Sequence, residues 1–114
     1  MAKLTAIQKY EFKLCLEMVS DEKLSYAFAF NREYGRAYMA VYTGPMKTHY
    51  KIVVSYCGAK DTFKKKIGFI KCADKLFENN QGVIMPVTGN TINDCMYDFI
   101  SCNFPIDNHL LETM

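Results

Sequence analysis

The chain has 114 residues, half of them hydrophobic, so it can bury one core without disulfide or metal support. It lacks both a run of about 18 uncharged apolar residues and the apolar segment of a signal peptide, which predicts a cytoplasmic protein without membrane contact. All 14 Lys and Arg residues lie in residues 1–75 with seven acidic ones, whereas residues 76–114 hold five acidic residues and no base. This asymmetry can steer an anionic ligand, but solvated surface or contact between copies explains it equally well.

The five cysteines are an odd number and form no CxxC pair, a spacing that fits neither a disulfide framework nor a zinc site. We therefore expect reduced thiols that are mostly buried, and no metal or cofactor. We find no internal repeat or linker, and we predict a single domain over residues 1–114. Residues 106–114 have too little pattern to assign and form either a docked tail or a disordered one.

Residues 5–19 have two interpretations. Thr5 and Gln8 form a capping box, and Ile7, Tyr10 and Leu14 then recur at helical spacing. The same segment also alternates apolar and polar residues from position 10 to 18, which is strand periodicity. We favour the helix.

Three aromatic and β-branched stretches follow, at residues 24–30, 37–43 and 49–57, and they predict strands joined as an antiparallel meander by short turns. A fourth short strand is predicted at residues 83–87. Because Pro86 cannot donate a ladder hydrogen bond, we place that strand at a sheet edge.

Two further helices complete the predicted α+β fold, in which the meander and its edge strand pack against two or three amphipathic helices. The first spans residues 60–77, with Asp61 or Thr62 as its cap. Its predicted core face consists of Phe63, Ile67, Ile70, Ala73 and Phe77. The last helix is capped by Thr91 or Asn90 and ends before Pro105. Its predicted buried face consists of Ile92, Cys95, Met96, Phe99 and Cys102.

Four lysines of the predicted helix over residues 60–77 fall on one helical stripe: Lys60, Lys64, Lys71 and Lys75. An amphipathic helix needs a solvated polar face in any case, and that explains the stripe without a ligand. Alternatively, the lysines bind phosphate, since each supplies a point charge with mobile donors. Nucleic acid is a further possible partner of the same surface.

Aromatic residues crowd the first predicted hairpin, and most of them are expected in the core or in a contact between copies. The hairpin connection also contains Arg32, Tyr34 and Arg36. An alternative role for this group is to bind a nucleotide, with a tyrosine stacked on the base and an arginine on the phosphate.

The case for an enzyme is weak, and we predict that the protein is not one. The chain has no GxSxG, P-loop or GxGxxG motif, and its two histidines have no metal-ligand spacing. Cys57, just before a predicted helix, is the best candidate nucleophile, and its possible bases are His49 on the same predicted strand and the distant His109. A packed thiol is the simpler interpretation of Cys57.

Residues 57–72 carry a spaced pattern formed by Cys57, Asp61, Phe63, Gly68 and Cys72, which follows an apolar strand and opens a helix. This pattern resembles a segment of small bacteriophage accessory proteins, in particular the anti-Thoeris sponge family, which binds cyclic ADP-ribose signals. The match covers about 20 of the 114 residues.

The resemblance implies a phage anti-defence protein that sequesters a nucleotide-derived host immune signal without turning it over. The cyclic nucleotide-type ligand would contact six residues: Lys64, Lys71, Lys75, Arg32, Arg36 and Tyr34. We also expect a homo-oligomer. The alternatives are an inhibitor that binds a host protein directly, through the aromatic hairpin or the acidic last third of the chain, and a nucleic-acid-binding accessory protein.

Overall fold

The computed structural model of the protein describes residues 5–21, 26–44, 46–57 and 64–113. Within these ranges the helices are α1 (Ala6–Asp21), α2 (Lys65–Ala73) and α3 (Ile92–Asn103). The strands are β1 (Tyr26–Asn31), β2 (Arg36–Tyr42), β3 (His49–Tyr56) and β4 (Val83–Pro86). A turn of π-helix at Asp74–Glu78 extends α2, and a 3₁₀ turn at Asp107–His109 follows α3.

The four strands form one antiparallel meander in the order β1-β2-β3-β4, which confirms the predicted α+β fold and the edge position of β4. Val87, just after β4, donates its backbone N–H to Thr48, and successive residues of a strand bond in opposite directions. The nitrogen of Pro86 therefore faces away from β3, where its missing N–H costs no hydrogen bond.

One face of the sheet packs against α2. The buried aromatic and aliphatic residues of this face meet the apolar side of α2 in a single core cluster, which contains Phe28, Phe30, Met39, Val41, Val53, Phe69, Ile70 and Leu76. Phe69 lies at its centre, with ring centroids 5.2 Å from Phe12 of α1 and 5.2 Å from Phe28 of β1. The alternation of aromatic residues along β1 thus supplies this face, as the sequence predicts.

The opposite face of the sheet packs against α3. Here β1 contributes the small residues Ala27 and Ala29, and the larger side chains come from β2, β3 and α3. The cluster includes Tyr38, Tyr50, Ile52, Ile92, Cys95, Met96 and Ile100. Both faces of this antiparallel sheet are therefore covered, and the burial of β1 runs almost without interruption.

The helix favoured for residues 5–19 is confirmed. The backbone N–H of Gln8 donates to the Thr5 hydroxyl at 3.1 Å, and that of Thr5 donates to the Gln8 side chain at 3.0 Å. The helical apolar stripe does not face the core, however: Ile7, Tyr10 and Leu14 are 71%, 63% and 46% exposed. Phe12 packs on the core instead.

α2 begins later than predicted, because Lys64 has extended backbone and the helix starts at Lys65. The predicted cap at Asp61 or Thr62, and Phe63, lie outside the described residues. The predicted core face is confirmed at Ile70 and Ala73, which are buried, and at Phe77, which is half-buried and packs on the core cluster, whereas Ile67 is only half-buried. The row that faces the sheet contains Phe69, Cys72 and Leu76 at spacings of three and four.

The last helix has the predicted cap, since the Thr91 hydroxyl accepts a hydrogen bond from the Asp94 N–H at 3.1 Å, and it ends at Asn103, before Pro105. Its predicted face is wrong at Cys102, which is exposed, while Ile100 is fully buried. The buried row Ile92, Met96 and Ile100 is spaced by four, so it keeps to one side of the helix.

The prediction of mostly buried thiols is met by two of the four cysteines whose burial is described. Cys72 and Cys95 are buried, Cys57 is half-buried and Cys102 is exposed. Burial raises the pKa of the Cys72 thiol to about 12, which keeps it protonated and unreactive. Over the described ranges, no helix is long and apolar enough to cross a membrane.

Candidate functional site: the β1–β2 hairpin and the C-terminal segment

Three of the predicted ligand-binding residues, Arg32, Tyr34 and Arg36, lie together at the turn between β1 and β2. The turn is fixed by Asn31, whose side-chain oxygen accepts a hydrogen bond from the Tyr34 N–H at 3.0 Å. Gly35 has a φ of +64°, and its carbonyl accepts a hydrogen bond from the N–H of Cys57 at 2.7 Å. This conformation favours glycine, and it positions Tyr34 and Arg36 on the outer end of the sheet.

A buried carboxylate anchors the C-terminal segment to this turn. Asp107, which lies in the 3₁₀ turn after α3, accepts hydrogen bonds from Arg36 Nη1 at 2.6 Å, from Asn31 Nδ2 at 3.1 Å and from the Tyr38 hydroxyl. The pKa of Tyr38 is raised, first by burial and then by its hydrogen bond to Asp107. The charge of Asp107 is thus fully compensated although its side chain is buried.

Aromatic rings surround the guanidinium of Arg36. Its Cζ atom lies 5.4 Å from the ring centroid of Tyr34, 5.9 Å from that of Tyr56 and 5.1 Å from that of Phe104. The Arg36 side chain is 29% exposed, and both tyrosines are exposed. Two partly exposed tyrosine rings and part of a guanidinium are therefore in contact with solvent at one end of the sheet.

A shallow cleft of about 330 Å³ lies beside this cluster, lined by Asn31, Arg32, Glu33, Leu110 and Glu112. The backbone of Glu112 forms a two-way bridge with Phe30 of β1, with N···O distances of 2.9 and 2.8 Å. Its carboxylate lies 3.6 Å from Arg32 Nε, and both side chains are about half exposed. This part of the C-terminal segment is docked, and it forms one wall of the cleft.

The lysines predicted for the same site lie elsewhere. Lys64 and Lys71 belong to the α2 side of the sheet, whereas Arg36 lies on the α3 side with Tyr38. Lys75 donates to the backbone carbonyl of Val54 at 2.7 Å. The pairing of β3 with β4 stops where Ile52 meets Val83, the first residue of β4. The Val54 carbonyl lies beyond this point, and Lys75 supplies its hydrogen-bond donor.

The predicted set of six residues is therefore split within one chain. Arg32, Tyr34 and Arg36 are brought together, and the lysines are not part of that group. Asp107 and Glu112 complete the site, and the sequence analysis missed both. Their segment has no periodic pattern, and their partners are about 70 to 80 residues away in the chain, as the 71-residue separation of Arg36 and Asp107 illustrates.

The candidate nucleophile Cys57 and its nearest possible base, His49, do not form a pair. They lie at opposite ends of β3, eight positions apart, which corresponds to about 26 Å along an extended strand. His49 is exposed and its Nδ1 lies 3.1 Å from the Thr48 hydroxyl. In the part of the chain that the structure describes, no group of three or more His, Cys, Asp or Glu side chains could hold a metal ion.

Comparisons with protein families, with curated proteins and with solved structures found no match to this chain. The chemistry of the hairpin site thus has to be inferred from its own residues.

Proposed function

We propose that this protein binds a small nucleotide-derived ligand at the β1–β2 hairpin and sequesters it without chemical turnover. The observation that carries the proposal is the contact of Arg36 with Tyr34 at a turn whose Arg32 lines an open cleft. Cation and aromatic faces together are the groups that recognise a phosphate and a base. The sequence resemblance to phage anti-defence sponges adds a biological role, the removal of a host immune signal.

The base would stack on Tyr34 or Tyr56. Both rings are exposed, and both flank the guanidinium of Arg36, which is fixed by Asp107. A fixed platform loses little conformational entropy when a ligand binds, so stacking here is favourable. A stacked base contributes roughly 1–3 kcal/mol to binding.

The phosphate would bind Arg32. Its contact with Glu112 is long, at 3.6 Å, and both side chains are about half exposed, so the pair contributes little to stability. An anionic group of the ligand can replace Glu112 at small cost. Arg36 cannot be released in the same way, because its departure would leave Asp107 buried and uncompensated.

Isothermal titration calorimetry with cyclic ADP-ribose isomers and cyclic dinucleotides tests the proposal. Arg32→Ala should weaken binding about tenfold or more, since a charged hydrogen bond is lost. Lys71→Ala is the matched control: it also removes an exposed cation, but one on α2, outside the residues that line the cleft.

A second variant with its own control tests aromatic stacking. Tyr34→Ala should weaken binding by about tenfold, whereas Tyr10→Ala removes another exposed tyrosine, from α1, and should have no effect. Absence of binding to every nucleotide tested contradicts the proposal. Loss of binding in Lys71→Ala with normal binding in Arg32→Ala would move the ligand to the lysine surface.

A second function, direct binding to a host protein, is favoured by one observation on α1. Ile7, Tyr10 and Leu14 form an exposed apolar stripe with helical spacing, the pattern by which a helix docks in a partner's groove. Ile7→Glu should abolish a nuclease-resistant complex recovered from host lysate. The same variant should abolish self-association, measured by sedimentation, if the stripe holds the expected second copy.

A further inference from the structure

We infer that Glu112 and Glu33 restrict the ligand of the hairpin cleft to phosphodiesters of low charge and disfavour molecules that end in a terminal phosphate. The inference rests on the proposed function and concerns the ligand class within it. It follows from the charges around the cleft and from the way in which Glu112 is held.

The charges at the cleft favour a ligand of low negative charge. Asp107 neutralises Arg36 through the 2.6 Å contact, so Arg32 is the cation left to the cleft among its lining residues. Two carboxylates, those of Glu33 and Glu112, line the same space. The residues that line the cleft therefore carry a net charge of about −1, which repels a polyanion.

The position of Glu112 is set by the backbone. Both of its main-chain groups are hydrogen-bonded to Phe30, at 2.9 and 2.8 Å, so the carboxylate can rotate away from Arg32 but cannot leave the rim of the cleft. A ligand that binds Arg32 must therefore accept Glu112 as a close neighbour. Like charges at such a distance select against the more highly charged ligand.

Bridging and terminal phosphate groups differ in charge, and the carboxylates at the cleft disfavour the more negative one. A bridging phosphodiester carries one negative charge, whereas a terminal phosphate has a second pKa near 6 and carries about −1.5 to −2 at neutral pH. The single positive charge of Arg32 neutralises a phosphodiester, but it leaves part of the negative charge of a terminal phosphate uncompensated. Cyclisation of a nucleotide signal removes the terminal phosphate, so a cyclic ligand fits this cleft better than its linear counterpart.

Two probes of the same base composition test the inference by calorimetry: cyclic diadenylate and the linear diadenylate that ends in a terminal phosphate. Wild-type protein should bind the cyclic probe at least about fivefold more tightly. Glu112→Gln should improve the affinity for the linear probe by about fivefold and the affinity for the cyclic probe by less. The affinity ratio of cyclic over linear probe should therefore fall. Glu17→Gln, the same charge change on exposed α1, is the control and should alter neither affinity.

The outcomes separate the inference from the proposed function. If both probes bind through Arg32 with equal affinity, or if Glu112→Gln acts no more strongly than Glu17→Gln, the inference is wrong and the binding function stands. If neither probe nor any cyclic ADP-ribose isomer binds to any variant, both are wrong. Unchanged melting temperatures of the glutamine variants should show that the fold is intact.

Discussion

The two faces of the sheet achieve burial in different ways. On the α2 face, Phe28 and Phe69 pack in an aromatic cluster, and the buried residues described there are all apolar. On the α3 face, β1 contributes Ala29 and then Asn31, and the packing ends in the network around Asp107. The first face stabilises the fold through apolar contact, whereas the second fixes the C-terminal segment and the groups that could bind a ligand. A change in the Asp107 network should therefore disturb the proposed binding site as well as the stability of the fold.

Among variants of the two faces, Phe69→Ala should cause the largest loss in the free energy of unfolding. The ring is fully buried and contacts Phe12, Tyr26 and Phe28, so its removal leaves a cavity in the α2 face. We expect the free energy of unfolding to fall by about 4 kcal/mol, measured by urea denaturation. Tyr10→Ala, which truncates an exposed ring of α1, should change it by less than about 0.5 kcal/mol. Equal losses in the two variants would contradict the assignment of the core.

The corresponding change on the α3 face is Asp107→Ala. It leaves Arg36, Asn31 and Tyr38 without their shared acceptor, and we expect a loss of about 3 kcal/mol in the free energy of unfolding, discounted for the partial exposure of Arg36. The control is Asp98→Ala, an exposed acid that accepts one hydrogen bond from Thr88.

The same variant tests whether the network also serves the site. Hydrogen exchange at the Glu112 N–H should rise in Asp107→Ala, because the segment that carries Glu112 loses its anchor. Exchange that is unchanged relative to wild type would show that the backbone bridge to Phe30 holds the segment by itself.

Much of the fold could be predicted from the sequence because local chemistry determined it. Four local signals predicted structure that is confirmed: the alternation along β1, the Thr5–Gln8 capping box, the Thr91 cap and the edge position of Pro86. Which apolar row of a helix faces the sheet is not a local property. α2 contains two such rows, and the choice of Phe69 over Ile67 depends on the partners Phe12 and Phe28, which the sequence does not place.

The site was predictable only in part, for the same reason. The hairpin gathers Arg32, Tyr34 and Arg36 within five consecutive residues, so their proximity follows from the turn alone. Asp107 and Glu112 reach them through the tertiary fold. The lysine stripe assumed a helix continuous through Lys64, whereas the helix begins one residue later.

Tyr38→Phe should cause a smaller loss of stability, and this loss should depend on pH. Such a pH dependence distinguishes the α3 network from the apolar α2 face. Tyr38→Phe removes one of three donors to Asp107, and we expect a loss of about 2 kcal/mol at neutral pH. The pKa of Tyr38 is raised in the folded protein above its ordinary value of 10. Above about pH 10 the unfolded chain therefore binds fewer protons than the folded one, and wild-type stability falls as pH rises.

The phenylalanine variant lacks this titration. The stability difference between wild type and Tyr38→Phe should accordingly narrow by up to about 1.4 kcal/mol per pH unit between about pH 10 and pH 11. Other tyrosines titrate equally in both proteins and cancel in the difference. A difference that stays constant over this range would mean that Tyr38 loses its proton as readily in the folded protein as in the unfolded one.

The smallest effect concerns two lysines that the sequence placed in one binding stripe. Lys75→Met deprives the Val54 carbonyl of its donor and should lower the free energy of unfolding by about 1 kcal/mol. Lys71→Met removes an exposed ammonium group and should change it by less than about 0.5 kcal/mol. Methionine keeps most of the aliphatic stem in both variants, so the comparison isolates the charged group. If Lys75→Met has no effect on stability but weakens nucleotide binding, Lys75 belongs to a ligand site on the α2 face; loss of stability with normal binding makes it part of the scaffold at the end of β4.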